Sequence, residues 1–254
     1  MRQLAWVLFS AGAMFAQPPA FEVATIKPTP PDWLHGRVMR METTHQFVAR
    51  NFTVRMLIAG AYNLTKDSVS GGPAWVDDDH YDILASTPGE GRPARDQQMA
   101  MLRSLIAERF KLSFHRAARE LPVYALVVPK NGVKIKPGTT PLDASQDLIG
   151  VVFPDHVRLP AHNASMGQLA SFLQRVVLDR PVVDETGLSG RYDFDLEWTP
   201  DNSQFGGEAP KPPQEADKPD IFAALQEELG LRLRASRGTV QTLVIDQVER
   251  PSAN

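Results

Sequence analysis

A row of three carboxylates on one short segment has the residue types needed for acid–base chemistry. Asp193, Asp195 and Glu197 occupy every second position between residues 192 and 198. On a β-strand such side chains share one face about 6.6 Å apart, and carboxylates that close can transfer protons to and from a substrate. The intervening residues favour another interpretation, a half-buried strand with a solvated acidic face. They are Tyr192, Phe194, Leu196 and Trp198.

A second polar group consists of His115, Arg116 and Arg119. It lies between two alternating segments, 110–114 and 121–128, which we predict to be neighbouring strands with a bend between them. The simplest interpretation is a polar hairpin bend, whose surface ion pairs contribute little to stability. We keep a ligand-binding role for His115, Arg116 and Arg119 as the alternative.

The sequence lacks the well-known catalytic motifs. It contains no His-Glu-x-x-His, no P-loop and no Gly-x-Ser-x-Gly. Residues 187–190, Gly-Leu-Ser-Gly, are one residue short of the last motif and precede a strand. The absence of cysteine excludes thiol catalysis, and the acidic triplet Asp77–Asp79 beside His80 lacks the ligand spacing of a calcium loop. We therefore predict no catalytic residue, no cofactor and no metal site.

Two glycine-rich turns, each leading into an aromatic-acidic strand, organise the rest of the chain. They occupy residues 70–87 and 180–198. The glycines serve backbone turns, and Asp184 and Arg191 flank the second turn, where we predict that they pair. The structural residues assigned to the two turns are Gly71, Gly72, Trp75, Asp184, Gly187, Gly190, Arg191 and Tyr192.

The sequence also reads as two copies of one pattern. A shift of 112 residues sets Asn51 against Asn163 and the helix-capping Thr53 against Ser165, which begins a capping box. Further along, a shift of 119 residues aligns the second helix and the strands after it. Each copy predicts a hairpin, a helix, two strands, a helix and two more strands.

This pattern predicts an α+β fold of two pseudo-symmetric repeats that pack together. The repeats span residues 20–136 and 147–250, and a first strand at 21–26, within the bounds of the first repeat, has no counterpart in the repeated pattern. Residues 201–219 are rich in proline, glycine and polar residues and show no periodicity. We predict that they form a mobile loop within the second repeat.

The N-terminus predicts export. Residues 1–16 contain Arg2, a short apolar stretch and small residues at Ala13 and Ala16, as in a secretory signal. No later segment reaches 18 apolar residues, so we expect no transmembrane segment in the mature chain. The formal net charge of -3 gives no field that would attract nucleic acid. We expect a periplasmic or extracellular location.

Several segments carry a family resemblance. They are Phe21–Pro28, Arg109–Leu112, Val183–Asp193 and Val244–Asp246 with Pro251. They resemble an uncharacterised family of secreted bacterial proteins, expanded in soil acidobacteria and known only as a domain of unknown function. The resemblance implies no assigned activity, although some relatives carry a membrane sensor-peptidase, which implies sensing outside the cytoplasm. Each half is also similar in topology to the short N-terminal domain of secretins and TonB-dependent receptors.

Taken together, these features predict an exported, non-enzymatic binding or interaction module of the bacterial envelope. Its partner would be an unknown protein or another envelope component. Two alternatives stay open at this point: a hydrolase with an unrecognised carboxylate or histidine site, and a structural protein of the cell surface.

Overall fold

The chain folds as an α+β protein with twelve strands and five α-helices among the residues that the computed structural model describes. These residues are 18–33, 36–139, 148–202, 204–206 and 217–251. The strands are β1 (Val23–Pro28), β2 (Val38–Met41), β3 (Gln46–Thr53), β4 (Val69–Gly71), β5 (His80–Ser86), β6 (Ser113–Val127), β7 (Lys136–Pro137), β8 (Val151–Val152), β9 (Val157–Ser165), β10 (Val182–Asp184), β11 (Arg191–Trp198) and β12 (Arg232–Gln247). The helices are α1 (Val54–Ala61), α2 (Trp75–Asp78), α3 (Arg95–Arg109), α4 (Met166–Phe172) and α5 (Ile221–Ala224). The predicted signal segment lies outside the described residues.

The strands form three four-stranded sheets. The first has the order β1-β5-β3-β2, the second β10-β6-β12-β4, and the third β7-β11-β9-β8. The first and third sheets are antiparallel throughout. In the second, β6 and β12 are antiparallel to each other, whereas the short strands β10 and β4 join them in parallel.

Two hydrophobic cores divide the molecule into two lobes. In the first lobe, α1 and α3 pack on the first sheet around Phe47, Leu57 and Phe110, which are fully buried. In the second lobe, α4 and α5 pack on the third sheet around Trp198 and Leu169. α4 and α5 each continue into one turn of π-helix, Leu173–Val177 and Leu225–Leu229.

A long two-stranded ribbon of β6 and β12 joins the lobes. β6 starts against the first core at Phe114 and ends in the second at Leu126, and β12 runs the opposite way, from Leu233 in the second core to Ile245 in the first. Each core is therefore completed by a strand end from the other half of the sequence.

The ribbon corrects the predicted bend between residues 110–114 and 121–128. β6 runs without interruption through this region, because it pairs with β12 from Ser113 to Val127 and no glycine or asparagine lies there to turn the chain. β12 is likewise one strand. The last two strands predicted for each copy are therefore a single long strand.

Local sequence signals start and end the helices largely as expected. The Thr53 hydroxyl accepts a hydrogen bond from the Met56 N–H at 3.3 Å, and Ser165 and Gln168 form the predicted reciprocal capping box. Gly230 ends the α5 segment in the left-handed region with φ 66°. α3 begins at Arg95 after Ala94 and has Asp96 in its first turn.

β3 and β9 each carry a bulge fastened by an aspartate of the neighbouring strand. The bulge residue Asn51 has φ 61°, and its N–H donates to the Asp82 carboxylate at 2.9 Å. Asn163 has φ 54°, and its N–H donates to the Asp193 carboxylate at 2.7 Å. Asparagine tolerates this left-handed conformation better than other non-glycine residues, and the aspartate binds the N–H that the bulge leaves unpaired.

Candidate binding cleft

A cleft of about 360 Å³ lies between the two lobes, at the lower end of the range of small-molecule sites, about 300–1,000 Å³. It is bounded by the end of α1, the start of α3 and the start of α4. Its lining is mostly polar and cationic and includes Tyr62, Asn63, Arg95, Asp96, Arg103, Gln168, Ser171 and Arg175.

Asn63 connects the two walls of the cleft. Its side-chain amide donates to the Ser171 hydroxyl at 3.1 Å, and its carbonyl accepts a hydrogen bond from the Gln174 amide at 2.8 Å. Asn63 follows α1 in the left-handed region, with φ 54°. The end of α1 is thereby fixed against the helix of the second lobe, which sets the width of the cleft.

Tyr62 stands at the mouth of the cleft with two arginines over its ring. The guanidinium carbons of Arg103 and Arg116 lie 5.6 Å and 6.0 Å from the ring centroid. Phe114 supports the ring edge-on at 5.1 Å. Burial raises the pKa of Tyr62, and the two arginines partly offset that effect, so the phenol stays protonated at neutral pH.

Neither arginine forms an ion pair with a carboxylate in the part of the chain that the structure describes. Arg103 donates to the Ala61 carbonyl at 2.7 Å, and Arg116 is exposed on the ribbon. The Tyr62 hydroxyl also has no hydrogen-bond partner among the described residues. Among the described residues, N–H and O–H donors without a partner therefore remain on Arg103, Arg116 and Tyr62.

The three residues considered for ligand binding are not gathered at a bend, because the bend does not exist. Arg116 reaches Tyr62, while Arg119 is exposed on the opposite face of β6. The His115 ring is 2.8 Å from the Asp246 carboxylate on β12. Of the three, only Arg116 comes near the cleft, through its contact with Tyr62, and Arg116 does not itself line the cleft. Tyr62 and Arg103 belong to helical sequence patterns, and nothing in those patterns indicates that the two side chains meet at a cleft.

The first glycine turn is shaped by its contact with β12. Gly71 has φ 79°, and a Cβ there would lie 2.7 Å from the Ile245 carbonyl oxygen, so only glycine allows β4 to pair there. Gly72 continues the turn at φ 81°. Trp75 begins the short helix α2, and the Arg250 guanidinium lies 5.0 Å from its ring centroid.

In the second turn, Asp184 and Arg191 each bind groups of nearby residues. Asp184 accepts from the Thr186 hydroxyl at 2.7 Å and its N–H at 3.0 Å, forming a local turn. Arg191 donates to the Asn163 carbonyl at 3.0 Å, beside the bulge. Both side chains stabilise the turn and the strand that follows, each on its own side.

The two remaining glycines of that turn, Gly187 and Gly190, are favoured for different reasons. Gly187 adopts φ 69° with open space around it, and a Cβ at Gly190 would lie 2.9 Å from the Tyr192 hydroxyl. The Tyr192 ring thus folds back over Gly190.

The carboxylate row on β11 faces away from the core, as its alternation predicts, and its members have structural partners. Hydrogen bonds from the Asn163 and Thr139 N–H groups lower the pKa of Asp193. Hydrogen bonding from Arg158 lowers the pKa of Asp195. Glu197 forms an ion pair with Lys218. Because Asp193 and Asp195 both stay ionised at neutral pH, neither is suited to donate a proton.

A second, more open pocket of about 530 Å³ lies wholly in the first lobe. Its lining includes Trp33, Asn51, His80 and Tyr81 together with three prolines and two members of the acidic triplet, Asp78 and Asp79. The triplet is largely engaged in structure. Asp77 forms a bidentate pair with Arg55 at 2.7 and 2.8 Å, and Asp79 pairs with Arg250 at 2.8 Å.

Part of the segment 201–219 has a fixed place in the second core. Gln204 is buried, and its side-chain oxygen accepts a hydrogen bond from the Trp198 indole N–H at 2.8 Å. Phe205 stacks on the same indole at a centroid distance of 6.4 Å. Residues 203 and 207–216 of this segment lie outside the described ranges.

The fold and the cleft define a two-lobed α+β protein with a polar, cationic cleft between its lobes. Residues 55–248 match the model of the family described as protein of unknown function (DUF3738), and the chain belongs to that family. No curated protein and no solved structure matches the chain. Among the described residues, no helix has the length and apolar character needed to cross a bilayer.

Proposed function

We propose that this protein is an exported binding module of the bacterial envelope and that the cleft between its lobes is its ligand site. The proposal joins the signal-like N-terminus and the resemblance to secreted, acidobacterial proteins with the geometry of the cleft. The observation that carries it is the position of Arg103 beside Tyr62 in the lining of the cleft, with Arg116 next to the same ring and no ion pair between either arginine and a carboxylate of the described residues.

The proposal includes the duplication of one structural unit. Residues that recur in both copies serve the fold, whereas residues present in one copy only are candidates for ligand binding. The first and third sheets have the same strand order once each strand number is raised by six. β4 joins β12 with Val69 opposite Leu243, and β10 joins β6 with Val182 opposite Tyr124, positions related by shifts of 113 and 119 residues. These correspondences support two pseudo-symmetric repeats that exchange their last strands.

Hydrogen bonds at equivalent positions support the same duplication. Thr29 donates its hydroxyl to Asp82 at 2.7 Å, and Thr139 donates its hydroxyl to Asp193 at 3.3 Å. The two aspartates also fasten the two asparagine bulges. Residues that recur in this way serve the common framework of both lobes.

The residues at the mouth of the cleft do not recur. The shift of 119 residues sets Arg116 on β6 against Ala235 on β12, and the shift of 112 sets Tyr62 against Gln174. The equivalent positions in the other repeat, on the ribbon and at the helix end, therefore accept residues without a charge or an aromatic ring. Tyr62 and Arg116 belong to one half only, which favours a role in binding over a role in the fold.

The experiment is a comparison of small-molecule capture by two leucine variants. Gly167 lies at the cleft, and a Cβ there would lie no closer than 3.8 Å to any other group, so Gly167→Leu should narrow the cleft without disturbing the fold. Ser189→Leu adds the same side chain to an exposed turn of the same lobe and serves as the matched control.

Native mass spectrometry of the purified full chain, after incubation with a periplasmic small-molecule extract, measures the result. We expect the unmodified chain and Ser189→Leu to retain the same added mass and Gly167→Leu to lose it. Equal retention by all three proteins would place the ligand elsewhere. Conversion of extract components by the unmodified chain would instead favour the hydrolase alternative.

A further inference from the structure

We propose that the cleft recognises the negative charge of a small organic anion, a carboxylate or a phosphate, through Arg103 and Arg116 beside Tyr62. This inference rests on the proposed function and specifies the chemistry of its ligand. It follows from a comparison of the N–H and O–H donors that already bind protein groups with those that do not.

The donor inventory of the three residues points to an anion. Arg103 uses one of its N–H groups on the Ala61 carbonyl, which leaves the remaining donors of its planar fork for a ligand. Among the described residues, Arg116 contacts the Tyr62 ring and donates no hydrogen bond, and the Tyr62 hydroxyl is a further donor. A carboxylate or phosphate accepts several such bonds at once, and arginine matches its geometry in a bidentate way.

The electrostatics of the cleft agree with this inventory. The guanidinium groups of Arg103 and Arg116 both lie within about 6 Å of the Tyr62 ring, so a bound anion beside that ring would be attracted by two positive charges. Arg95 and Arg175 also line the cleft, against one acid, Asp96. Because Arg95 and Arg175 have other partners, we assign the recognition of charge to Arg103 and Arg116 alone.

The ring of Tyr62 serves as the support for both guanidinium groups. It is itself held edge-on by Phe114 at 5.1 Å, and Phe114 packs against the first core. The positions of both arginines are thus tied to the rigid ribbon and to α3. A site arranged in advance loses less conformational entropy when its ligand binds.

Three probes with one carbon skeleton separate charge from shape. Glucuronate carries a carboxylate, glucose 6-phosphate carries a phosphate, and glucose is neutral, and all three are pyranose rings. Calorimetric titration of the full-length chain, at up to about 10 mM probe, would detect a site with a Kd of about 1 mM. We expect at least one of the two anions to bind and glucose not to bind, and the anion that binds better identifies the anionic group.

Two arginine variants and one matched control assign the site. We expect Arg103→Gln and Arg116→Gln each to weaken the better anion at least about tenfold, as the loss of a charge-assisted hydrogen bond does. Arg119→Gln removes the same charge from the opposite face of the same strand and should leave Kd unchanged. Because Arg103→Gln also loses the bond to Ala61, Arg103→Lys should restore part of the affinity if charge is what matters.

The outcomes distinguish this inference from the proposed function. Equal binding of glucose and the anions, or full anion affinity in both Arg→Gln variants of the cleft, would overturn the anion inference and leave the cleft proposal standing. Binding of none of the probes would also overturn it. Retention of a ligand from the periplasmic extract by Gly167→Leu would overturn the cleft proposal itself.

Discussion

The Asp193 carboxylate accepts a hydrogen bond from the backbone N–H of Asn163 at 2.7 Å. The bond crosses from β11 to the bulge of β9 and holds an asparagine in the left-handed region. Asp193 therefore joins the two neighbouring strands by a hydrogen bond, and Asp82 makes the same bond to Asn51 in the other lobe.

Substitution of Asp82 should destabilise the protein. Asp82→Ala removes the acceptor for both the Asn51 N–H and the Thr29 hydroxyl, and we expect the free energy of unfolding to fall by about 1–3 kcal/mol. Urea denaturation followed by circular dichroism measures it. Glu90→Ala, on an exposed loop, should change stability by less than about 0.5 kcal/mol. Equal effects of the two changes would show that the bulge does not depend on Asp82.

Low pH should lower the free energy of unfolding, partly through protonation of Asp193. The bonds from Asn163 and Thr139 lower its pKa in the folded state, so its contribution is complete above the unfolded value of about 3.9. The contribution is lost as the pH falls through the lower folded value. Urea midpoints between pH 7 and pH 2 should therefore fall less steeply in Asp193→Asn than in the unmodified chain. Parallel pH profiles would mean that the carboxylate is not selectively bound in the folded state.

The contact between Gly71 and Ile245 predicts a severe effect of a single methyl group. Gly71→Ala combines a positive φ with a Cβ 2.7 Å from a backbone oxygen, and we expect a loss of about 2 kcal/mol or more. Gly91→Ala is the control, because its Cβ would meet nothing within 4 Å. The thermal midpoint should drop only in the first variant, and an unchanged midpoint would mean that β4 can shift away from β12 at little cost.

Gln204 should matter although it lies in a segment that composition predicts to be mobile. Gln204→Ala leaves the buried indole N–H of Trp198 without its acceptor, which costs about 1–3 kcal/mol. Asn202→Ala, on an exposed neighbour, should have little effect. Denaturant titration with tryptophan fluorescence compares the two, and equal midpoints would place Gln204 among the dispensable residues of the loop.

Sequence periodicity predicts several of the elements but neither the continuity nor the pairing of the strands. The alternation around Phe194 and the capping box at Ser165 are local patterns, and both predictions are confirmed. The continuity of β6 through Arg116 and Arg119 was missed, because strands and bends with polar residues have similar composition and only pairing with β12 decides between them. The parallel contact of β4 with β12 joins residues more than 170 positions apart, and no local pattern signals it.

The candidate site shows the same limit. Tyr62, Arg103 and Arg116 lie on three elements, and their meeting depends on how α1 and α3 cross the ribbon. The bulge bonds, in contrast, had a signal in the sequence. The shift of 112 residues set Asn51 against Asn163, and asparagine at a strand interruption is typical of a left-handed residue.

The exchange of strand ends between the lobes affects how the chain can be made. Ile245 and Leu243 complete the first core, yet they are synthesised long after the other residues of that core. The first lobe therefore has to wait for β12, and its contacts have a high sequence separation, which slows folding. While the chain is being made, the first lobe should stay open and sensitive to proteases until β12 has been synthesised.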